Sequence, residues 1–405
     1  MRSEPGADRL PAGAFFLLMA SVFAVSVGYG IALPVLPFLL QGLMGEGARF
    51  SLAVHTGLLA GLYMFALFLF APLWGCVSDR IGRRPVILLG LGGCVLAVVS
   101  FGLARTLELV YLARALGGVM VSAVLPVALA YIGDATSEEL RARRFAWMSV
   151  ATTLGFLVGP ALGGSLTRAA PVSILVATVP GNALPFVLAA SAGLLIWVAV
   201  YFRLPEASAR AVPASQAVDP IERSPKSIHG LLLLAFLGTL GLGSFEVAVA
   251  LQAQQVLKLD PFRVSVLFME CSLLMVVVQA FVFSPLVKHF GFGHIVAPAF
   301  LVMVVGLGLL PIAADFGWVV LLVGLVAAGS GVLAPMLAYQ ISIDAATAQG
   351  AALGKQTAAR SLGQGLGSVM AGGLFGVAAE APFWSTAGVL LVGALLGLRL
   401  VAARQ

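Results

Sequence analysis

Few side chains in this sequence carry charge, and those that interrupt its apolar runs are the ones equipped for chemistry. Arg114 stands in Tyr111-Leu112-Ala113-Arg114-Ala115-Leu116-Gly117-Gly118, well inside an apolar run. An unpaired guanidinium there costs at least about 2.5–3.5 kcal/mol. It must face a polar cavity or an acid, unless it snorkels to an edge about 10 Å away. Glu246 and Glu270 fall in two consecutive apolar runs, which places both carboxylates at similar depth. Acids short of water and near a like charge are natural proton carriers. The other reading, for either acid singly, is a pairing with a basic residue for folding. Gln356, Arg360, Gln364 and Ser368 recur at four-residue spacing and form a polar stripe on one helix face. The stripe lines a central path, or Arg360 only sits at its mouth. Ser26 and Tyr29 share a face of the first apolar run and, with Gln364, are candidates to line a substrate cavity. No nucleophile with a base, no metal-ligand cluster and no phosphate-cradling loop is visible, so neither an enzyme nor a metal site is expected.

A second concentration of charge is Gly75-Cys76-Val77-Ser78-Asp79-Arg80-Ile81-Gly82-Arg83-Arg84-Pro85, an island between two long apolar runs. Such a stretch finds no partners in hydrocarbon, so a tight loop outside the bilayer is expected. Gly75 and Gly82 permit a sharp turn, and Asp79 beside a helix N-terminus is favoured by its dipole. The arginines Arg80, Arg83 and Arg84 act either as a topology anchor or as part of a gate.

These groups must be positioned by membrane helices. The chain has 405 residues, of which 60% are hydrophobic and only 10% charged, a balance no soluble domain shows. Apolar runs cover Gly13–Leu40, Val54–Val77, Pro85–Leu103, Leu107–Tyr131, Phe145–Thr167 and Ala183–Phe202, then Gly230–Gln254, Arg263–Val287, Ile295–Ala314, Gly317–Ser342, Gly354–Ala378 and Phe383–Ala402. Pro34 and Pro37 are expected to bend or open the first of them. Pro, Ser, Ala and charge dominate 203–229, which reads as a cytoplasmic linker between an N-terminal bundle, 1–202, and a C-terminal bundle, 230–405. The N-terminus does not read as a cleavable signal. The net charge of +6 is no argument for nucleic acid, because the basic residues cluster beside apolar spans. The three cysteines suit neither a metal site nor disulfides and read as small core residues. One side collects Arg80, Arg83, Arg84, Arg141, Arg143, Arg144, Arg203, Lys288 and Arg399 among others, against Arg49, Arg105, Arg168, Lys258 and Arg263 on the opposite side. That bias makes the first side, with both termini, cytoplasmic.

The halves repeat. Thr153–Gly164 in the fifth run aligns with Ser361–Gly372 in the eleventh, and Phe68–Leu73 in the second with Phe281–Leu286 in the eighth. Helix n matching helix n+6 means two pseudo-symmetric six-helix bundles in an all-α membrane protein of twelve transmembrane helices.

The stretch Gly75–Arg84, spaced G-x-x-x-D-R-x-G-R-R, resembles the signature loop of the major facilitator superfamily. The resemblance implies that Asp79 and Arg80 latch the halves on the cytoplasmic side. Gly155, Gly159, Pro160, Gly163 and Gly164, spaced G-x-x-x-G-P-x-x-G-G, resemble the helix-five motif of its proton-coupled exporters, although glycines at this spacing also serve simple close packing. Arg114 with Gly117 and Gly118 is similar to the helix-four motif of drug exporters, which implies a part in proton transfer. The chain is similar to twelve-helix drug:proton antiporters of the tetracycline-exporter kind, except that Ala24-Val25-Ser26-Val27 stands where those carry an acid. The resemblance implies a secondary transporter that exports a small organic or amphipathic, drug-like molecule in exchange for protons by alternating access. It implies an inner-membrane location, no cofactor beyond the proton gradient, and a monomer whose partners are substrate, protons and the lipid bilayer. The rival expectations are export of an endogenous metabolite such as a siderophore, and a non-transporting receptor or assembly factor that keeps the fold.

Overall fold

In the computed structural model, residues 10–44, 49–136, 138–166, 172–174, 177–179, 183–206, 225–282, 286, 289–290, 292–344 and 349–402 are described. Most of the expected linker and Lys288 lie outside them. Long apolar runs become helices because only a helix satisfies its own backbone in hydrocarbon. In chain order these are α1 Ala12–Met44, α2 Arg49–Ile81, α3 Arg83–Gly102, α4 in two segments (Leu107–Val121 and Leu125–Ala135), α5 Glu138–Leu166 and α6 Leu184–Arg203. There follow α7 Pro225–Leu251, α8 Pro261–Val277, α9 Phe292–Leu309, α10 Phe316–Asp344, α11 Gln349–Val377 and α12 Ala381–Ala402. Among the described residues, 11 helices are both long and apolar enough to cross a membrane. The remaining one, α11, has the length, 29 residues, but carries the polar stripe that lowers its apolarity. With it the twelve expected spans are present.

The structure departs from the expected elements at four places. Pro34 and Pro37 do not interrupt α1, which runs unbroken through both. The break falls in α4 instead, at Ser122–Val124, because Pro126 lacks an N–H and its ring crowds the carbonyl one turn before. The charged island is not a loop: α2 continues through Asp79 and Arg80 to Ile81, and α3 begins at Arg83. Helices can extend past the apolar layer with their charges, so only Gly82, at φ +100°, makes the turn. Gly75 lies within α2, and a Cβ on it would meet nothing. Between α5 and α6 an antiparallel pair, β1 Val172–Ile174 and β2 Ala177–Val179, is held in the register Ser173 opposite Thr178. Of the cysteines, Cys94 and Cys271 are buried, whereas Cys76 is exposed.

The chain divides into two compact units, Met1–Val35 with Ala66–Val212, and Leu36–Phe65 with Pro213–Gln405. The core of the first gathers Leu18, Val22, Ile87, Leu91, Val127 and Tyr131. Two indoles brace it: Trp74 donates to the carbonyl of Val119 at 2.8 Å and Trp197 to that of Leu88 at 2.9 Å. In the second unit, Phe300 of α9 is fully buried where Gly393 of α12 leaves room for its ring. α7 and α8 both end in a π-turn, Gln252–Val256 and Val278–Val282. Gln252 uses its amide to satisfy the carbonyl of Leu310 at 2.9 Å.

Candidate functional site

In the first unit the charged ends of α2, α3 and α4 converge on Arg83. Its Nη1 lies 2.5 Å from Asp79 Oδ1 and donates to Ser78 Oγ at 2.6 Å, while its Nε lies 3.0 Å from Asp134 Oδ2. Asp79 occupies the last turn of α2, the end a helix dipole makes unfavourable for an acid, and Arg83 across the Gly82 turn compensates it. The arginine that joins the helices is therefore Arg83; Arg80 is exposed and makes no ion pair among the described residues. Arg84 donates Nη2 to the carbonyl of Tyr201 in α6, and its backbone N–H to Glu206 Oε1 at 3.4 Å. Asp134, Ser78 and Glu206 were not anticipated as members of this cluster. Asp134 is one of the few acids near a helix end, and that is the signal that could have found it.

The helix-five glycines form a seam with α1. A Cβ on Gly155 would stand 2.5 Å from the Cβ of Ser26, and one on Gly159 would stand 2.8 Å from the backbone of Gly30. Pro160 touches Gly30 from the same side, Gly163 faces Ile31, and Gly164 is buried beside it. Ser26 is buried at this crossing, its hydroxyl donated to the carbonyl of Val22 at 2.8 Å. Arg114 is 3% exposed, with its guanidinium 5.4 Å from the ring centre of Phe101 and 5.8 Å from that of Tyr29. Tyr29 in turn meets Phe156 edge-on at 5.6 Å. A cation between two aromatic faces is stabilised by their quadrupoles, by up to about 2 kcal/mol or more each when desolvated. Arg114 and Tyr29 are thus brought together, with Ser26 on the same helix as Tyr29.

In the second unit, Glu246 of α7 accepts a hydrogen bond from Gln364 Nε2 of α11 at 3.0 Å. The two helices approach so closely that a Cβ on Gly243 would lie 2.2 Å from the carbonyl oxygen of Gln364, and one on Gly367 would lie 2.0 Å from that of Leu240. Ser368 donates to the carbonyl of Gln364 at 2.9 Å. Glu270 of α8 turns Oε1 toward Gly324 of α10, and its Oε2 is buried without a hydrogen-bond partner among the described residues. Cys271 lies within electrostatic reach of both carboxylates. Gln356 Nε2, two turns before Gln364, is likewise buried without a partner among the described residues.

The sequence pattern of the Major Facilitator Superfamily matches residues 18–368. Quinolone resistance protein NorA of Staphylococcus aureus (strain COL) is 25% identical over 386 residues, covering 95% of both chains. Multidrug resistance protein 2 of Bacillus subtilis (strain 168) is 26% identical over 396 residues, covering 96% of this chain and 94% of the relative. Among solved structures, a D-xylose-proton symporter superposes with a TM-score of 0.77 at 16% identity, covering 95% of this chain and 97% of that one. The human organic anion transporter MFSD10 does so with a TM-score of 0.69 at 21% identity, covering 96% and 100%. Since the pattern spans well over half of the sequence, this chain belongs to the major facilitator superfamily.

Proposed function

We propose that this chain is a secondary transporter of a bacterial-type inner membrane that exports a small, drug-like organic molecule in exchange for protons by alternating access. The names of the two resistance-protein relatives support the substrate class. The observation that carries the exchange is the Glu246–Gln364 hydrogen bond, which joins an acid within one membrane span to the side-chain amide of another.

The chemistry follows from that pair. An ionised carboxylate only accepts hydrogen bonds, and Gln364 offers it an N–H. Once Glu246 takes up a proton it gains an O–H donor, while its other oxygen still accepts from the Gln364 N–H as a neutral and weaker partner. Uptake and loss of one proton therefore changes the charge beside α11 and the strength of the bond that joins it to α7. Glu270 holds a buried oxygen that a proton would satisfy, and Arg114, with Tyr29 against it, is the counterpart in the first unit. Asp79, Arg83 and their neighbours form the cytoplasmic gate together with Gly75, Arg80, Gly82 and Arg84. Both termini are cytoplasmic, two bundles, 1–202 and 230–405, are joined by the linker 203–229, and the chain works as a monomer with the proton gradient as its only energy source.

Purified protein in vesicles with an imposed pH gradient tests the reading. Addition of a fluorescent quinolone should trigger proton movement opposite to quinolone movement, and Glu246→Gln or Arg114→Ala should abolish it. Quinolone movement without proton movement overturns the exchange, and unaltered exchange in both variants removes these residues from it.

A further inference from the structure

Within the first unit, the first turn of α1 and the last turn of α6 leave a groove of about 780 Å³ that opens beside Arg84 and Arg203. Its size lies within the range of small-molecule sites. Its walls are apolar: Phe16 is 67% exposed, Phe202 is 76% exposed, and Leu17 and Ala199 line it between them. The polar end is cationic. Arg84 gives Nη2 to the carbonyl of Tyr201 but keeps Nε buried without a hydrogen-bond partner among the described residues, and neither Arg84 nor Arg203 makes an ion pair among them. Glu206 is turned to the backbone N–H of Arg84 and lies against Gly82. Two guanidinium groups at the mouth of a groove with exposed aromatic walls, at the end of two membrane helices, call for a ligand with an anionic head and apolar tails.

We propose that this groove binds an anionic phospholipid, its phosphate between Arg84 and Arg203 and its acyl chains along Phe16 and Phe202. Guanidinium groups match phosphate oxygens with paired N–H donors, and basic pockets between membrane helices select anionic headgroups. The apolar wall distinguishes this ligand from a free phosphate, which would leave Phe16 and Phe202 uncovered. Bound there, the lipid packs the entry to α1 against the exit of α6 and reaches the Gly82 turn through Arg84. The site rests on the geometry of the first unit and not on the transport reading, so either can fail without the other.

Native mass spectrometry of the purified full chain, with phosphatidylglycerol or phosphatidylcholine of the same acyl chains, tests it. Phosphatidylglycerol should be retained in preference. Arg203→Gln should weaken that retention about fivefold, the worth of one basic contact near an anionic surface. Arg399→Gln, at the exposed end of α12, should leave it unchanged. Ala199→Trp fills the groove while keeping both arginines and should also release the lipid, and unchanged thermal unfolding of each variant confirms that it is folded. Equal retention of the two lipids, or equal retention by the wild type, Arg203→Gln and Ala199→Trp, overturns the proposal. Displacement of the lipid by soluble glycerol phosphate at equal concentration would overturn it too, by assigning the site to the phosphate alone.

Discussion

Gln364 Nε2 stands 3.0 Å from Glu246 Oε2, at the position where the first unit carries the ring of Phe156. The internal repeat aligns Gly155 with Gly363 and Gly159 with Gly367, and therefore Phe156 with Gln364. In each unit these glycines seat one helix on the first helix of its own half: Gly155 against the carbonyl of Phe23, Gly363 against that of Phe236. The backbone device is the same twice, but Phe156 meets the ring of Tyr29 while Gln364 meets a carboxylate. The two copies of a shared frame thus differ in polarity at this one aligned position.

If that pair is coupled, its two members should not act independently. A hydrogen bond to a charged group contributes about 1.5–3 kcal/mol, so Gln364→Leu should lower stability by about that much in the wild type. In the Glu246→Gln background the same change should cost only about 1 kcal/mol, as for a neutral bond. Thermal unfolding of the two single variants and the double variant reads the difference. Strictly additive effects would dissolve the pairing.

At the charged end of the first unit, the arginines should separate by role. Asp79 is 62% exposed and its pair with Arg83 is worth about 0–1 kcal/mol, whereas Asp134, 21% exposed, would be left without its cation. Arg83→Gln should therefore cost up to about 3 kcal/mol, nearly all of it through Asp134. Arg80→Gln should lie within about 0.5 kcal/mol of the wild type. Equal losses in the two variants would show that the latch does not run through Arg83.

How far the sequence reveals this arrangement depends on the range of each interaction. Helices, their ends and the glycine seam follow from local composition, because an apolar run in hydrocarbon has one way to satisfy its backbone. The charges of the island exclude it from hydrocarbon and so suggest a loop, yet exclusion from lipid does not exclude a helix, and α2 carries Asp79 four residues before Arg83. The choice of Arg83 over Arg80, and the addition of Asp134, depend on how α3 meets α4 over 51 positions of sequence. Glu246 and Glu270 stand out as acids in apolar runs, but which neutral side chain would meet Glu246 required the contact of α7 with α11.

The glycines make opposite predictions that stability and transport can tell apart. Gly159→Ala places a Cβ 2.8 Å from the backbone of Gly30, which cannot move as a flexible side chain could, so α1 and α5 must separate at a cost of about 1–3 kcal/mol. Gly75→Ala meets open space and should leave unfolding unchanged or gain about 0.5–1 kcal/mol from its helical position. As a member of the proposed gate it should nevertheless slow exchange in vesicles. Full exchange in Gly75→Ala would remove that glycine from the gate.

Arg114 offers the sharpest test of what its surroundings do. Its guanidinium lies over Phe101 and Tyr29, and that stack needs a flat cation and flat rings. Lysine keeps the charge but offers a compact ammonium on a flexible stem, with no planar face for two rings. Arg114→Lys should lose about 1–2 kcal/mol of stability, close to the worth of a desolvated cation over a ring. If Arg114 serves only as a charge, Arg114→Lys should restore the exchange that Arg114→Ala loses; if the contact with the rings sets its position, Arg114→Lys should stay defective. The stacked geometry predicts the second pattern, and full exchange by Arg114→Lys would show that the rings only fill space.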